Sequence, residues 1–493
     1  MNEATQKRLK VALRTNEERF FTEFEDEIKL FRDRLELDKD GEIFDVEVDV
    51  DDQNGFVKVV VKCVLLDAKS YEIVQKLEQF RDNIAKIAQI KRIAKSAVYK
   101  FVSDALNIDE PYGSLTGIRP TKLWHEFETK GKDADREMEA LFVSPAKRAL
   151  IKEIVDAQKP VYQSGAKEVD LFVNIPICTS RCAYCSFISA ELNKVQKQVP
   201  RYASLLREEI EDAARLIHES GYLLRCIYVG GGTPTSLPDE QFEEVMDALS
   251  KLPAREFTVE AGRPDTITLP KLKIMDKTGV TRISVNPQTL NQNTLDAIGR
   301  RHTVDEFFAK YELARKFDFD VNVDLIAMLP GETPEMFAAS VDGVIALDPE
   351  NVTVHTLALK KGSALKLGGY DNTSESDAAA MVDYAYGAIK GAGYVPYYMY
   401  RQKYMSGNLE NVGYCKPDKQ CVYNVDIMEE TTTIIACGAG GISKFVDREA
   451  GRVERYADPK GLDVYLTRGE EVWRKRREFF ADCERRRGVR ADK

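Results

Sequence analysis

Two regimes of hydrophobic patterning divide the chain. Over "EIFDVEVDVDDQNGFVKVVVKCVLL", residues 42–66, apolar and polar positions alternate on both sides of Asn54-Gly55, which predicts a β-hairpin. A helical pattern follows from about Tyr71 to Leu106, and further helix follows "PYGSLTGIRPTKLWHEF". Residues 1–165 are therefore expected to form an α+β domain, and their pattern carries no visible chemistry. From residue 168 the pattern changes to short β-rich runs: "VDLFVNIP", "RCIYVGG", "REFTVEA", "TRISVNP", "DVNVDLIAML" and "NVTVHTL". Amphipathic stretches such as "RYASLLREEIEDAARLIHES" and "DEQFEEVMDALSKL" separate them. Strands that alternate with helices imply right-handed βαβ units and a parallel sheet over residues 166–365. An open doubly wound sheet and a partial (β/α)6 barrel both satisfy this alternation. Residues 366–493 contain a long helix, the aromatic-rich "YVPYYMYRQKYMSGNLENVGY" and the glycine-rich "IIACGAGGISKF". They are expected to form a mostly helical region that packs on the sheet and covers the substrate.

In parallel α/β architectures the chemistry sits in loops at the carboxyl ends of the strands. Here the first strand ends in "CTSRCAYC", with Cys178, Cys182 and Cys185, and the second ends in "GGGTPT". Glu260 ends the third, Gln288 lies just beyond the fourth, and Asp324 lies in the fifth ahead of "MLPGET". The sixth runs into "HTLALKKGS". Three thiols are one short of a closed site. Structural zinc takes four ligands, and Cys415 or Cys421 could supply the last, although their spacing is not that of a zinc knuckle. A [4Fe–4S] cluster held by three cysteines instead leaves one iron open to a small molecule with an amine and a carboxylate, such as S-adenosylmethionine (SAM). The glycines of "GGGTPT" allow close backbone approach to a ligand, but no phosphate-loop lysine follows them. "GAGGIS" lacks the third glycine of a dinucleotide fingerprint.

Bulk properties narrow the class. The chain is 43% hydrophobic and 31% charged, with a formal net charge of −10, so nucleic acid and acidic membranes are not the expected partners. The one basic stretch, Arg474–Arg477 followed by Arg485–Arg487, is interspersed with Asp and Glu and predicts a solvated helix end. No apolar run approaches the ~18 residues of a spanning helix, so membrane insertion is not expected. Nine cysteines, an odd count with three bunched, argue against a disulfide framework and for a reducing compartment, the cytoplasm.

Taken together, "VNIPICTSRCAYCSF", "GGGTPT", "RISVNPQT", "GRRHT", "VDLIAMLPGET", "YRQKYMSGNLENVGY" and "GAGGISK" resemble the radical SAM family of oxygen-independent coproporphyrinogen III oxidases, also called coproporphyrinogen dehydrogenases. The resemblance covers roughly residues 168–460. The N-terminal residues and "LTGIRPTKLWHEF" resemble the branch with an added N-terminal domain. The family implies a partial barrel with one [4Fe–4S] cluster and one or two SAM molecules. Cys178, Cys182 and Cys185 would hold the cluster. Gly231 and Glu260 would hold the cluster-bound SAM, with Ile442 against its adenine. Tyr184, Gly232, Thr233, Gln288, Arg300, Asp324 and Ala358 would line a second SAM position. The implied reaction converts two propionates of coproporphyrinogen III to vinyl groups, giving protoporphyrinogen IX in haem biosynthesis, and needs an electron donor and an acceptor. Arg401, Lys403 and Arg300 are candidate partners for the carboxylates of such a tetrapyrrole.

Three positions depart from the family pattern: Phe172 stands in place of a tyrosine, Phe187 in place of a cysteine, and Met328 in place of a glycine. The last is expected to tighten the floor of the site. Two alternatives are a haem-binding chaperone of the same superfamily and a radical SAM enzyme acting on another substrate. Against the chaperone, "GNLENVGYCKP" lacks the His and Trp of that group's haem-associated segment.

Overall fold

The computed structural model describes residues 8–66, 70–78, 83–116, 119–162, 165–187, 189–360, 362–370, 374–402 and 405–491. They divide into two compact units, Met1–Lys152 and Glu153–Lys493.

In the first unit a five-stranded sheet is built from Leu9–Thr15, Leu35–Leu37, Glu42–Asp51, Phe56–Cys63 and Tyr71–Lys76. The expected hairpin pairs Asp51 with Phe56 across its turn, where Gly55 takes φ +69° and the Asp51 carboxylate accepts bonds from the backbone of Gln53 and Asn54. The helical pattern expected from Tyr71 is corrected at its start. Tyr71–Lys76 is an edge strand antiparallel to Phe56–Cys63, and the helix runs over Asn83–Leu106. "YEIVQK" serves either period, and the open edge of the hairpin decides in favour of the strand. Phe24, Phe44, Val59, Val98 and Phe101 fill the core between this sheet and its helices.

In the second unit six strands follow the expected order: β1 (Glu168–Ile175), β2 (Leu223–Gly231), β3 (Glu256–Val259), β4 (Arg282–Ser284), β5 (Asp320–Ala327) and β6 (Asn351–Thr356). Each is parallel to the next. The sheet continues at both edges. Beyond β6, β8 (Asn411–Cys415) and β7 (Val395–Tyr400) pair antiparallel; beyond β1, β9 (Thr433–Cys437) adds in parallel, followed by β10 (Ile442–Asp447) and β11 (Arg452–Ala457). The C-terminal region therefore joins the sheet with five strands as well as packing helices on it.

The basic C-terminal stretch lies on α1 (Glu471–Ala491) and is neutralised within the unit. Arg474 pairs with Glu478, Lys475 with Glu471, Arg477 with Asp212 and Glu219, and Arg486 with Glu454. Arg476 is wholly buried, 2.7 Å from an equally buried Glu209. No described helix is long and apolar enough to cross a membrane.

Candidate active site

Alternate residues of each parallel strand point into the barrel, as the two-residue period requires. They wall a cavity of about 750 Å3, within the ~300–1,000 Å3 usual for ligand sites. Phe172 and Asn174 come from β1, Tyr228 from β2, Thr258 and Glu260 from the end of β3, Asn322 and Asp324 from β5, and Thr353 and His355 from β6. The floor is a short helix, Val422–Glu429. Its first backbone N–H groups, those of Val422 and Tyr423, donate to the Glu256 carboxylate at 3.1 and 3.3 Å, an anion on a helix N-terminus. Tyr423 stacks on Tyr228 with ring centroids 4.3 Å apart and on Phe172 at 6.0 Å.

At the mouth, the loop after β1 presents Cys178, Cys182 and Cys185, with Cys182 buried and the other two half-buried. The Thr233 hydroxyl points at the Cys178 sulfur at 3.6 Å, and the buried Arg263 reaches the Cys182 sulfur at 3.8 Å. Arg263 is itself fixed by Asp265 and by the carbonyl and hydroxyl of Ser180. Thiolates gathered here have a positive partner.

Each glycine of the β2 turn has a steric reason. A Cβ on Gly230 would lie 2.8 Å from the Glu260 carboxylate, and one on Gly232 would lie 2.7 Å from the Ile177 carbonyl. Gly231, at φ +107°, would drive a Cβ into the Asn174 carboxamide. The turn therefore seats directly against both the cysteine loop and Glu260. Burial, and then the neighbouring Asp324, pushes the Glu260 carboxyl up to about 7, against the Tyr228 phenol, which donates to it at 2.6 Å. Tyr228 thus supplies a hydroxyl to a region where the family's tyrosine is replaced by Phe172.

The remaining expected residues fall as follows. Gln288 holds φ +72°, uncommon outside glycine, and exchanges backbone hydrogen bonds with Asp324 and Ile326. Buried Arg300 donates to the Tyr184 hydroxyl and the Gly262 carbonyl, both at 3.3 Å. Asp324 accepts from Asn286 and Asn322 and faces His355 at 3.6 Å. Ala358 bridges to Met405 at the rim. The three cysteines, Tyr184, Gly231, Gly232, Thr233, Glu260, Gln288, Arg300, Asp324 and Ala358 all line the one cavity.

Two described residues do not join it. Ile442 opens β10 and is 43% exposed, outside the lining set, although Gly440 of the same turn lines the cavity. Arg401 is buried and donates to the Asn408 carbonyl and side chain instead of facing the cavity. Lys403 lies outside the described residues. Met328 does not tighten the cavity floor: it takes φ +69° and its backbone N–H meets the Met381 sulfur at 3.3 Å, away from the lining residues. That left-handed conformation accounts for the glycine usual there. Phe187 stands 66% exposed at the mouth.

Sequence reasoning missed Tyr228, His355 and the floor helix. The first two were readable as inward positions of β2 and β6, Tyr228 two residues before the Gly230 turn and His355 at the start of "HTLALKKGS". The floor helix carries no local sign of its place. His355 bonds the Tyr400 hydroxyl at 3.1 Å through one ring nitrogen and faces Asp324 with the other.

The donor set fits an iron–sulfur cluster better than a single ion. Among the described residues, the one group of three or more His, Cys, Asp or Glu whose ligand atoms all lie within 4.8 Å of one another is Asp170, Cys226 and Asp426. The three mouth sulfurs are spread wider, whereas thiolates on one tetrahedral zinc stand ~3.8 Å apart. Cys421 cannot complete a zinc site with them, because it sits at the opposite end of β3 and donates to Glu256 at 3.3 Å.

Comparison with known proteins agrees. Residues 174–343 match the radical SAM superfamily. Over 397 residues, 78% of this chain and 79% of the other, the chain is 38% identical to the oxygen-independent coproporphyrinogen-III oxidase-like protein HemZ of Bacillus subtilis. It is 34% identical to the heme chaperone HemW of the same organism over 198 residues, 38% of this chain and half of that one. Coproporphyrinogen III oxidase (HemN) from Escherichia coli shares the fold, with a TM-score of 0.50 at 21% identity over 64% of this chain and 72% of that one. The cofactors of the superfamily are a [4Fe–4S] cluster and SAM. On the three-thiol loop, the glycine turn that abuts it and the similarity over 78% of its length, the chain belongs to the radical SAM family of oxygen-independent coproporphyrinogen III oxidase-like proteins.

Proposed function

We propose that the protein is an oxidoreductase that decarboxylates coproporphyrinogen III to protoporphyrinogen IX. The observation that carries this reading is the convergence of the three cysteines, the Gly231 turn and Glu260 on the mouth of one aromatic-walled cavity. Cys178, Cys182 and Cys185 would hold the cluster, and Gly231 with Glu260 the amine end of SAM. The bound cofactors supply a carbon-centred radical able to take a hydrogen atom from the propionate β-carbon. The protein's own work is positioning and exclusion of water.

Tyr228, Tyr398, Tyr400 and Tyr423 offer aromatic surface to the separate pyrrole rings of the macrocycle. Exposed Arg181 and Lys460 and half-buried Lys360 line the mouth, where they can meet carboxylates. These replace Arg401 as substrate partners. Arg300, held by Tyr184 and Gly262, and Gln288, Thr233, Asp324 and Ala358 mark the space for a second SAM. Electron donor and acceptor would be separate partners. All nine cysteines are free thiols, which supports a reducing, cytoplasmic setting.

A second reading, a haem carrier, is favoured by the names of several relatives. One assay separates them. Anaerobically reconstituted, reduced protein given coproporphyrinogen III, SAM and a one-electron acceptor should release CO₂ and form protoporphyrinogen. SAM cleavage without decarboxylation, together with stoichiometric haem binding, would select the carrier.

A further inference from the structure

Beneath the floor helix the barrel holds a second set of donor side chains, which the proposed reaction does not use. Asp170 on β1 and Cys226 on β2 are paired in register. Asp426 reaches them from the floor helix, and ligand atoms of all three lie within 4.8 Å of one another. Asp170 and Asp426 are 0% exposed, as is Cys226. Neither oxygen of Asp170 accepts a hydrogen bond, and the Cys226 thiol lies beside it without meeting hydrogen-bond geometry.

Buried carboxylates are ordinarily paired, because an ionised group out of water without partners costs several kcal/mol. The local charges do not close. Glu256 is taken by Arg282 at 2.6 Å and by the floor helix N-terminus. Arg225 lies 3.5 Å from Asp426 and 3.9 Å from Glu168, and its other donor is spent on the Val161 carbonyl. One guanidinium therefore faces both Asp170 and Asp426. A single shared proton would join the two carboxyls yet leave the second Asp170 oxygen without a donor. Thr431 already donates to one Asp426 oxygen, and a divalent cation satisfies the other, Asp170 and the thiol at once.

We propose that Asp170, Cys226 and Asp426 form a structural divalent-cation site, zinc by preference, that ties the floor helix to the first two barrel strands. Zinc accepts thiolate and carboxylate together, and tetrahedral ligands at ~2.0–2.3 Å stand ~3.3–3.8 Å apart, within the span available here. The remaining position falls to a water or to the second oxygen of a carboxylate. With the half-exposed Glu168 left to solvent, two carboxylates and a thiolate stand against the ion and Arg225. By fixing the helix that carries Tyr423, the ion would set the floor of the cavity, and the site stands whether or not the substrate assignment does.

Because the side chains are sealed, the ion enters during folding. The test is full-length protein with Cys178→Ala, Cys182→Ala and Cys185→Ala, which removes the other thiol cluster, expressed with added zinc or cobalt and desalted through chelator. The expected result is about one zinc per chain and, in the cobalt form, a thiolate-to-metal charge-transfer band. Asp170→Asn should lower the retained metal at least tenfold, and Cys226→Ser should abolish the band. Folded protein without metal, or cobalt protein without the band, overturns the proposal, as does undiminished metal in Asp170→Asn. A metal-free Asp170→Asn that melts higher than its metal-free parent at alkaline pH would show a shared proton instead, and also overturns it. Should Asp170→Asn not fold, the parent and Cys226→Ser measurements decide.

Discussion

Glu260→Gln separates the electrostatics of the site from its packing. In the cofactor-free protein this carboxyl is pushed up to about 7, first by burial and then by Asp324, from an ordinary value of 4.5. Between those pH values the folded state holds a proton that the unfolded state has lost. Stability therefore falls as pH rises through that window, by 2.3RT for each unit of difference. The full effect is about 3 kcal/mol by pH 8, and none is expected below 4.5. Glutamine has the shape of the neutral acid and can still accept from the Tyr228 phenol, which donates at 2.6 Å. The variant should match the parent near pH 4.5 and exceed it by about 3 kcal/mol at pH 8. For a unit of about 340 residues that is a rise of about 4 °C in the midpoint of thermal unfolding. The measurement is the parent–variant difference in midpoint across the pH range, without cofactors. In parallel, reconstituted variant should lose SAM binding, because an anionic partner for the cationic amine is gone. A gap that does not change with pH, or a parent more stable than the variant at pH 8, would refute the reasoning.

Three further outcomes follow from packing. Gly231→Ala forces a side chain onto a φ of +107° and into Asn174; it should cost more than ~2 kcal/mol by denaturant unfolding and abolish SAM cleavage, with iron content retained. Arg476→Met leaves Glu209 buried without its guanidinium and should cost ~3–5 kcal/mol; adding Glu209→Gln should recover part of that loss, and strict additivity in the double-variant cycle would contradict the pairing. Met328→Gly relieves ~1 kcal/mol of left-handed strain but removes a buried side chain worth ~2–5 kcal/mol. The variant should therefore unfold at lower denaturant despite adopting the family residue, and a stabilised variant would show that strain outweighs packing at this position.

Local periodicity carried much of this molecule. The six parallel strands alternate with amphipathic helices whose stripes repeat within the helix itself, and the hairpin announces itself through Asn54-Gly55. The cysteine loop, the glycine turn and Glu260 were legible because topology places strand ends together, so features marking each end had to meet. Features that depend on distant pairing were not legible. β9 adds to β1 more than 260 residues away, and "TIIAC" alone does not say which edge it joins. Arg476 lies in a run of exposed-looking cations, and only the approach of Glu209 across the fold buries it. Tyr71–Lys76 reads as helix until the edge beside it is seen. Arg401 carries a suitable charge, but it is turned to the Asn408 carbonyl and side chain, a contact that local sequence does not announce.

The central claim is a cluster pinned by three thiolates with its last corner left to SAM. Electron paramagnetic resonance of the anaerobically reconstituted, dithionite-reduced protein, recorded with and without SAM, tests it directly. The account predicts about four irons per chain, a cluster signal altered by SAM, and loss of both in Cys178→Ala. Zinc in place of iron, or a cluster signal indifferent to SAM, would contradict it.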